Sequence, residues 1–280
     1  DRARSNNDVL TSDLTMNGAL FRLPAGDASL TARVGGSLSH LDSSSTRILT
    51  PTPALKRTLG VGSLSLDLPL IDSPTPFVGK LSLNGNATAQ TLSDFGSVRG
   101  FGGGVTWAPV KAVSFVASYK DEESAPTVQQ LGDPVLSNGS VRIFDYVNGV
   151  SAQVSYLTGG NPALAKADVR EWRLGLTVKP FQKPNVTFSL DYTGTRTENG
   201  ITALPAVTSA SAAAFGARYT RDGAGNLIAV DARPVNIAQQ RSDVLRWGVN
   251  FSKTLKTPQA QIDAMRAYMR KRFPGGPSGA

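Results

Sequence analysis

The stretch REWRLGLTVKPFQKPNVTFSLDY, residues 170–192, decides the fold. Every second residue is large and apolar, first Trp172, Leu174, Leu176 and Val178, then Val186, Phe188, Leu190 and Tyr192. Arg173, Gly175, Thr177 and Lys179, and later Thr187, Ser189, Asp191 and Thr193, fill the places between. A period of two describes a strand with one dry face and one wet face. The segment Lys179 to Pro184 holds two prolines, which end pairing on both sides. The pattern predicts a β-hairpin whose dry face meets either a protein core or lipid.

The same alternation recurs along the chain. Leu10, Leu14, Met16 and Leu20 form one set, and Leu30, Ala32, Val34 and Leu38 the next, across a turn at Pro24-Ala25-Gly26-Asp27. Leu64, Leu66 and Leu68 follow, then Leu81, Leu83 and Ala87, then Phe101, Val105 and Trp107. Val113, Phe115, Ala117 and Tyr119 continue through an expected turn at Ala108-Pro109, and Leu245, Trp247, Val249 and Phe251 close the series. This makes about nine strands, many longer than the usual five or six residues.

The connections are lopsided. Those near 24–27, 72–77, 108–111 and 180–184 are short and proline-rich. The alternate ones are long, with about 13 residues expected after Leu41, about 45 after Glu122 and about 40 after Glu198; only the link at Asp94-Phe95-Gly96 is short. In an up-and-down meander, short turns therefore share one end and long loops the other. Phe21, Phe77, Trp107, Phe181 and Phe251 sit toward the short-turn end, and Tyr119, Trp172 and Tyr192 toward the other, as two interfacial girdles would. Within the long loops, Asn148-Gly149 predicts a hairpin, Ser209 to Tyr219 a short helix and Asp222 to Asn226 a turn. Ile262, Met265, Met269 and Phe273 recur at helical spacing.

Composition narrows the class. Only 18% of the 280 residues are charged, and Gly, Ser, Thr and Asn occupy positions where a soluble surface usually carries Lys and Glu. The net charge of +8 comes largely from Lys253, Lys256, Arg266, Arg270, Lys271 and Arg272 against Asp263. No basic stripe interleaved with aromatics accompanies it, so no nucleic-acid partner is expected. Cysteine is absent, which excludes a disulfide framework and a thiolate site. No apolar run is long enough for a transmembrane helix, a test that is blind to strands.

Catalytic and cofactor chemistry finds little support. Gly100-Phe101-Gly102-Gly103-Gly104 leads into strand and turn, whereas a phosphate-cradling loop must lead into a helix. His40 is the sole histidine and has no ligand cluster or nucleophile at useful spacing. Asp121, Glu122 and Glu123 are expected to be a solvated acidic rim. The expectation is a non-enzyme without cofactor or metal.

Several motifs, in order, resemble the TonB-dependent outer-membrane receptors. Ser124-Ala125-Pro126-Thr127 is similar to a loop motif of that family, and Gly160-Asn161-Pro162-Ala163-Leu164 to its Gly-Asn-Pro-x-Leu motif. Ala165-Lys166-Ala167-Asp168 stands where Lys-Pro-Glu is commoner. Trp107-Ala108-Pro109 resembles a periplasmic turn, and VDARPVN followed by SDVLRWGVNFSKTL another loop and strand, so the likeness runs to Leu255.

The resemblance implies an all-β, antiparallel, up-and-down transmembrane barrel fragment. Residues 1–255 would supply about nine of 22 strands, with external loops at about 123–166 and 199–240. Residues 256–280 would be a basic, Gly/Pro-rich periplasmic insertion with a short amphipathic helix. The plug, the TonB box and the closing strands are expected outside these residues. The implied partners are outer-membrane lipid, an imported small molecule of siderophore, cobalamin or saccharide type, and the inner-membrane TonB complex. Arg173, Lys179, Asp191 and Arg246 become candidates for the lumen-facing wall, while ligand contacts are unassigned. A secreted soluble β-sandwich binding module and a smaller outer-membrane pore are the alternatives; the sandwich does not explain the long strands, the lopsided loops or the Lys/Glu-poor wet faces, and an intact smaller pore would be expected to show a signal peptide and a closing strand.

Overall fold

The computed structural model describes residues 3–46, 54–181, 185–253 and 258–272. Gln182, Lys183 and Pro184 of the expected turn, together with Leu255, Lys256 and Phe273, lie outside them. In chain order the elements are β1 (Ala3–Leu23), β2 (Gly26–Ser45), β3 (Leu55–Asp72), β4 (Lys80–Leu92), β5 (Gly96–Val110) and β6 (Val113–Ser124). Then come α1 (Val128–Gly132), β7 (Leu136–Asp145), β8 (Val150–Thr158), β9 (Ala167–Phe181) and β10 (Asn185–Thr202). The chain continues through α2 (Ser209–Ala214), β11 (Tyr219–Arg221), β12 (Leu227–Asp231), β13 (Val235–Ser252) and α3 (Gln259–Arg272).

Nine strands form one antiparallel meander in the order β1-β2-β3-β4-β5-β6-β9-β10-β13. The sheet is open. Its register carries the apolar rows from strand to strand. Leu14 faces Val34, Ala32 faces Leu64, Leu83 faces Val105, Trp107 faces Phe115, and Ala117 faces Leu174. Leu176 faces Leu190, which in turn faces Trp247. One side of the sheet is thus a continuous apolar belt, and nothing among the described residues covers it. Leu14 is 61% exposed, Leu174 54%, Leu245 62% and Trp247 78%. A soluble sandwich would bury such a face against a second sheet.

All four register irregularities inside the meander lie at the short-turn end, at Ala19/Phe21, Pro69/Ile71, Trp107/Val110 and Val186/Phe188. Pro69 and Pro109 sit at or within two of these bulges, where a missing N–H leaves no ladder bond broken. This corrects the expected turn at Ala108-Pro109: β5 runs through Val110 and reverses at Lys111-Ala112. The turn between β3 and β4 folds onto that corner. The Phe77 N–H donates to the Pro109 carbonyl, and the Trp107 indole donates to the Val78 carbonyl. Gly79 has φ +59°, and a Cβ there would lie 1.9 Å from the Ala108 oxygen, so only glycine fits.

The link after Leu41 is shorter than expected. Serines and an aspartate continue β2 to Ser45, paired with residues 3–6 of β1, and β3 begins at Leu55 opposite Leu41. No helix among the described residues is long and apolar enough to cross a membrane, so strands are the elements to consider.

Candidate functional site

The face opposite the belt is polar through most of its height. Asp191 stands across from Arg246 on β13 and from Gly175 on β9, and Arg173 stands across from Ser118 and Thr193. These residues line one shallow concavity with Ser114 and Thr177. Arg173 pairs with Glu171 at 2.8 Å. The register therefore brings three of the four predicted wall residues together. Lys179 shares their side of β9 but lies six residues from Arg173, about 20 Å along the strand.

Toward the long-loop end the polar face turns apolar and is roofed. Leu41, Leu92 and Val98 are buried, and α1 folds over β2 and β3 at Leu41 and Leu55. A Cβ added to Gly132 of α1 would strike Leu55 and Leu41, which shows how close the packing is. Thr127 caps α1 in a reciprocal box with Gln130. Ser43 Oγ donates to the Gly132 carbonyl at 2.7 Å.

Arg57 ties this corner together. Its guanidinium grips both oxygens of Asp94, at 2.6 Å for the shortest contact, donates to the Pro126 carbonyl at 2.7 Å and lies over the Phe95 ring. Its side chain is only 10% exposed. Replacing it with Ala removes charge-assisted bonds to a carboxylate and a carbonyl, so segment 125–134 is expected to lose about 2 kcal/mol of local stability. Lys recovers part of this, because an ammonium cannot match the planar fork. Faster amide exchange at Leu131 and Asp133, with exchange in β9 and β10 unchanged, is the measurement that checks it.

The two long loops fold as one unit. β7 and β8 form the hairpin expected around Asn148-Gly149, with Gly149 at φ +67°. The unit is completed by β12, which pairs in parallel with β8, Ala229 opposite Ser155, and antiparallel with β11. Val154, Val207, Tyr219, Leu227 and Val230 make its core. Asp145 is fully buried beneath, held by both terminal nitrogens of Arg221 at 2.7 and 2.9 Å and accepting from the Val147 N–H. The Arg221 hydrogen bonds hold the Asp145 carboxyl below the usual carboxylate range.

The Gly160-Asn161-Pro162 turn staples this unit to the meander. Asn161 donates to the Pro234 carbonyl from its amide and to the Gln130 carbonyl from its backbone N–H, and accepts from the Ala163 N–H. Asn236 reciprocates, accepting from the Ala165 N–H and donating to the carbonyls of Ala165 and Asn199.

Where the belt ends on this side, charge begins. In β5, β6, β9 and β10 the apolar rows of Phe101, Tyr119, Trp172 and Tyr192 give way to Arg99, Asp121, Arg170 and Arg196. Asp121, Glu122 and Glu123 of the expected acidic rim are part-exposed, and each stands beside a basic side chain. Asp121 meets Arg170 at 3.2 Å and accepts from the Tyr119 hydroxyl, Glu122 pairs with Lys120, and Glu123 stands by Arg99. Tyr192 donates to Asp243 at 2.7 Å. His40 lies on β2 between Asp8 and Lys56. Among the described residues no group of three or more acidic or histidine side chains is placed to hold a metal ion.

An open meander with one bare apolar face, short turns at one end and a folded loop unit at the other has a counterpart among known families. Residues 15–261 match the model of the TonB dependent receptor-like β-barrel. The chain belongs to that family. No curated protein matches it. Among solved structures, this TonB-dependent receptor chain resembles the siderophore receptor PirA from Pseudomonas aeruginosa, with a TM-score of 0.59 at 15% identity over 90% of this chain and 44% of that one. A ferric enterobactin receptor mutant from Pseudomonas aeruginosa, PfeA in complex with enterobactin, gives 0.57 at 15% identity over 87% and 33%. A double mutant of the Serratia marcescens hemophore receptor HasR, in complex with HasA and heme, gives 0.54 at 16% over 89% and 40%. The TonB-dependent receptor chain thus spans less than half the length of each of these proteins, and identities this low speak for the fold alone. The residues that sequence reasoning missed are Arg57, Asp145 and Arg221; none belongs to a periodic pattern or a motif, and Arg57 and Arg221 each stand beside another charge, Lys56 and Asp222.

Proposed function

We propose that this chain is an arc of a larger closed outer-membrane barrel, and that its receptor takes up a scarce ligand with energy from the inner-membrane TonB complex. One observation carries this: a nine-strand apolar belt bare on one side, with a polar wall behind it and a folded loop unit over one end. The belt's depth fits a bilayer. From Leu10 to Leu20 in β1 is about 34 Å of strand with no charge on the belt side, which at a tilt of about 35–45° spans roughly 24–28 Å of the bilayer normal.

On this account the belt faces lipid, and Arg173, Lys179, Asp191 and Arg246 face the lumen, where charge is hydrated. Residues 1–255 form barrel and external loops, and 256–280 form a periplasmic insertion. The relatives are transport receptors, and siderophores, enterobactin and a heme-carrying partner appear with them; a ferric siderophore is therefore the first ligand class to try, ahead of cobalamin or a saccharide. The test is uptake of radio-iron-loaded enterobactin by cells whose only such receptor is the one carrying this segment, with and without TonB. TonB-dependent accumulation is expected. Accumulation of cobalamin or maltodextrin instead moves the ligand class, and no TonB-dependent uptake of any of the three sinks the transport assignment.

A further inference from the structure

Helix α3 spans Gln259–Arg272 and makes no hydrogen bond or ion pair to either sheet among the described residues. At 100° per residue, Ile262, Met265, Tyr268 and Met269 fall on one side. Met265 is 67% exposed, Tyr268 54% and Met269 48%, with Ile262 half-buried, so most of this side is bare. Arg266 and Arg270 run along one flank of it, Lys271 borders the other beside Tyr268, and Arg272 falls within it, its guanidinium folded back to the Tyr268 hydroxyl; Asp263, the single acid, lies on the far side.

Basic residues in the last turn favour a helix through its dipole, which accounts for Arg270, Lys271 and Arg272. It accounts neither for Arg266 in mid-helix nor for the bare methionines. The tether supplies a second observation. β13 ends at Ser252, one residue beyond Phe251 of the apolar belt, and α3 begins seven residues later. Seven residues reach at most about 25 Å. The helix is therefore held within about 25 Å of the short-turn edge of the belt, with apolar side chains and long basic ones side by side on its surface. Arginine stems lie along apolar surface while their heads stay in water. That arrangement fits a helix lying in the headgroup layer of an anionic membrane.

We propose that α3 is a membrane-surface helix that docks its Ile262, Met265 and Met269 side on the same bilayer the barrel crosses, at anionic phospholipid headgroups. This rests on the belt being lipid-facing. The chain has no cysteine, so a single thiol can be placed at will. The assembled receptor carries Met265→Cys, or Ala260→Cys on the far side of the helix, labelled with an environment-sensitive nitrobenzoxadiazole dye. Any cysteine outside the segment is changed to Ser. The receptor is reconstituted in phosphatidylethanolamine vesicles with or without phosphatidylglycerol.

The expected result is blue-shifted emission at position 265 only, present with phosphatidylglycerol and lost in high salt or when Arg266, Arg270, Lys271 and Arg272 are all changed to Gln. Emission at 265 that stays water-like in both lipids overturns the proposal. So does a shift of equal size in both, which shows that anionic headgroups are not what the helix docks on. Tryptophan quenching of the belt by brominated lipid in the same vesicles separates the two claims: a quenched belt with a water-like α3 refutes the helix assignment alone.

Discussion

Leu190→Arg is expected to abolish or severely reduce membrane assembly, while Thr187→Arg, three residues away on the same strand, is expected to leave assembly near normal. Leu190 stands in mid-belt between Leu176 and Trp247, with its side chain 43% exposed in the open sheet. An arginine there meets hydrocarbon, with a cost of about 2–4 kcal/mol at the bilayer midplane. Thr187 pairs with Asn250 and belongs to the polar face. On the proposed orientation an arginine there extends into the lumen, on the side that already carries Arg246. Leu174→Arg repeats the first experiment one strand over. Heat-modifiable migration of the folded barrel and protection from external protease report assembly. Equal tolerance of both substitutions contradicts the assignment of faces, whatever the family.

Arg221→Ala is expected to unfold the loop unit while leaving the meander intact. The substitution leaves the Asp145 carboxylate fully buried without its cation, although two backbone amides remain nearby. Breaking a buried pair costs about 3–5 kcal/mol, and the 24% exposure of Arg221 places this case near 3. Hydrogen exchange should rise in β7, β8, β11 and β12 together, because β8 and β12 share one ladder and one core. Exchange confined to β11 would instead mean that the two loops fold independently. Acid should mimic the mutation. The folded-state pKa of Asp145 is depressed, so the pair's contribution is complete above the ordinary carboxylate value and is lost as pH falls below about 4, through the lower folded value. The loop unit should therefore open in acid while the belt holds, and the acid dependence should be much weaker in Asp145→Asn.

The meander was legible because its strands are wet on one side only. A period of two over Trp172–Val178 and Val186–Tyr192 survives any loop around it, and the register then follows from keeping the apolar residues on one face. The loop unit was half legible. Asn148-Gly149 announces its hairpin, since few dipeptides tolerate that turn. Its closure by β12 does not show, because three residues pairing in parallel across more than 70 positions leave no periodic trace. Pro109 predicts the turn itself, but a proline fits equally well in a bulge just before a turn, and that is where it lies. The extension of β2 through Ser43 and Ser44 hid for a related reason: strand pairing there is held by backbone and by the Gly132 contact, with no apolar alternation to mark it.

Of the candidate site, the sharing of one face by Arg173, Asp191 and Arg246 was legible from parity alone. The roles of Arg57, Asp145 and Arg221 were not, because a buried charge is recognised by its partner, and those partners lie 37 and 76 residues away.

The most direct test of the central claim uses the tryptophans. All three, Trp107, Trp172 and Trp247, lie on the belt side, at the short-turn edge, the long-loop edge and mid-height respectively. Receptors retaining one of them at a time, the others changed to Phe, are reconstituted in bilayers whose acyl chains carry bromine at different depths. If the belt faces lipid, every one of the three is quenched, Trp247 most by deep bromine and Trp107 and Trp172 most by shallow bromine. Quenching by aqueous acrylamide, with indifference to bromine at every depth, would place the apolar face away from lipid and contradict the account.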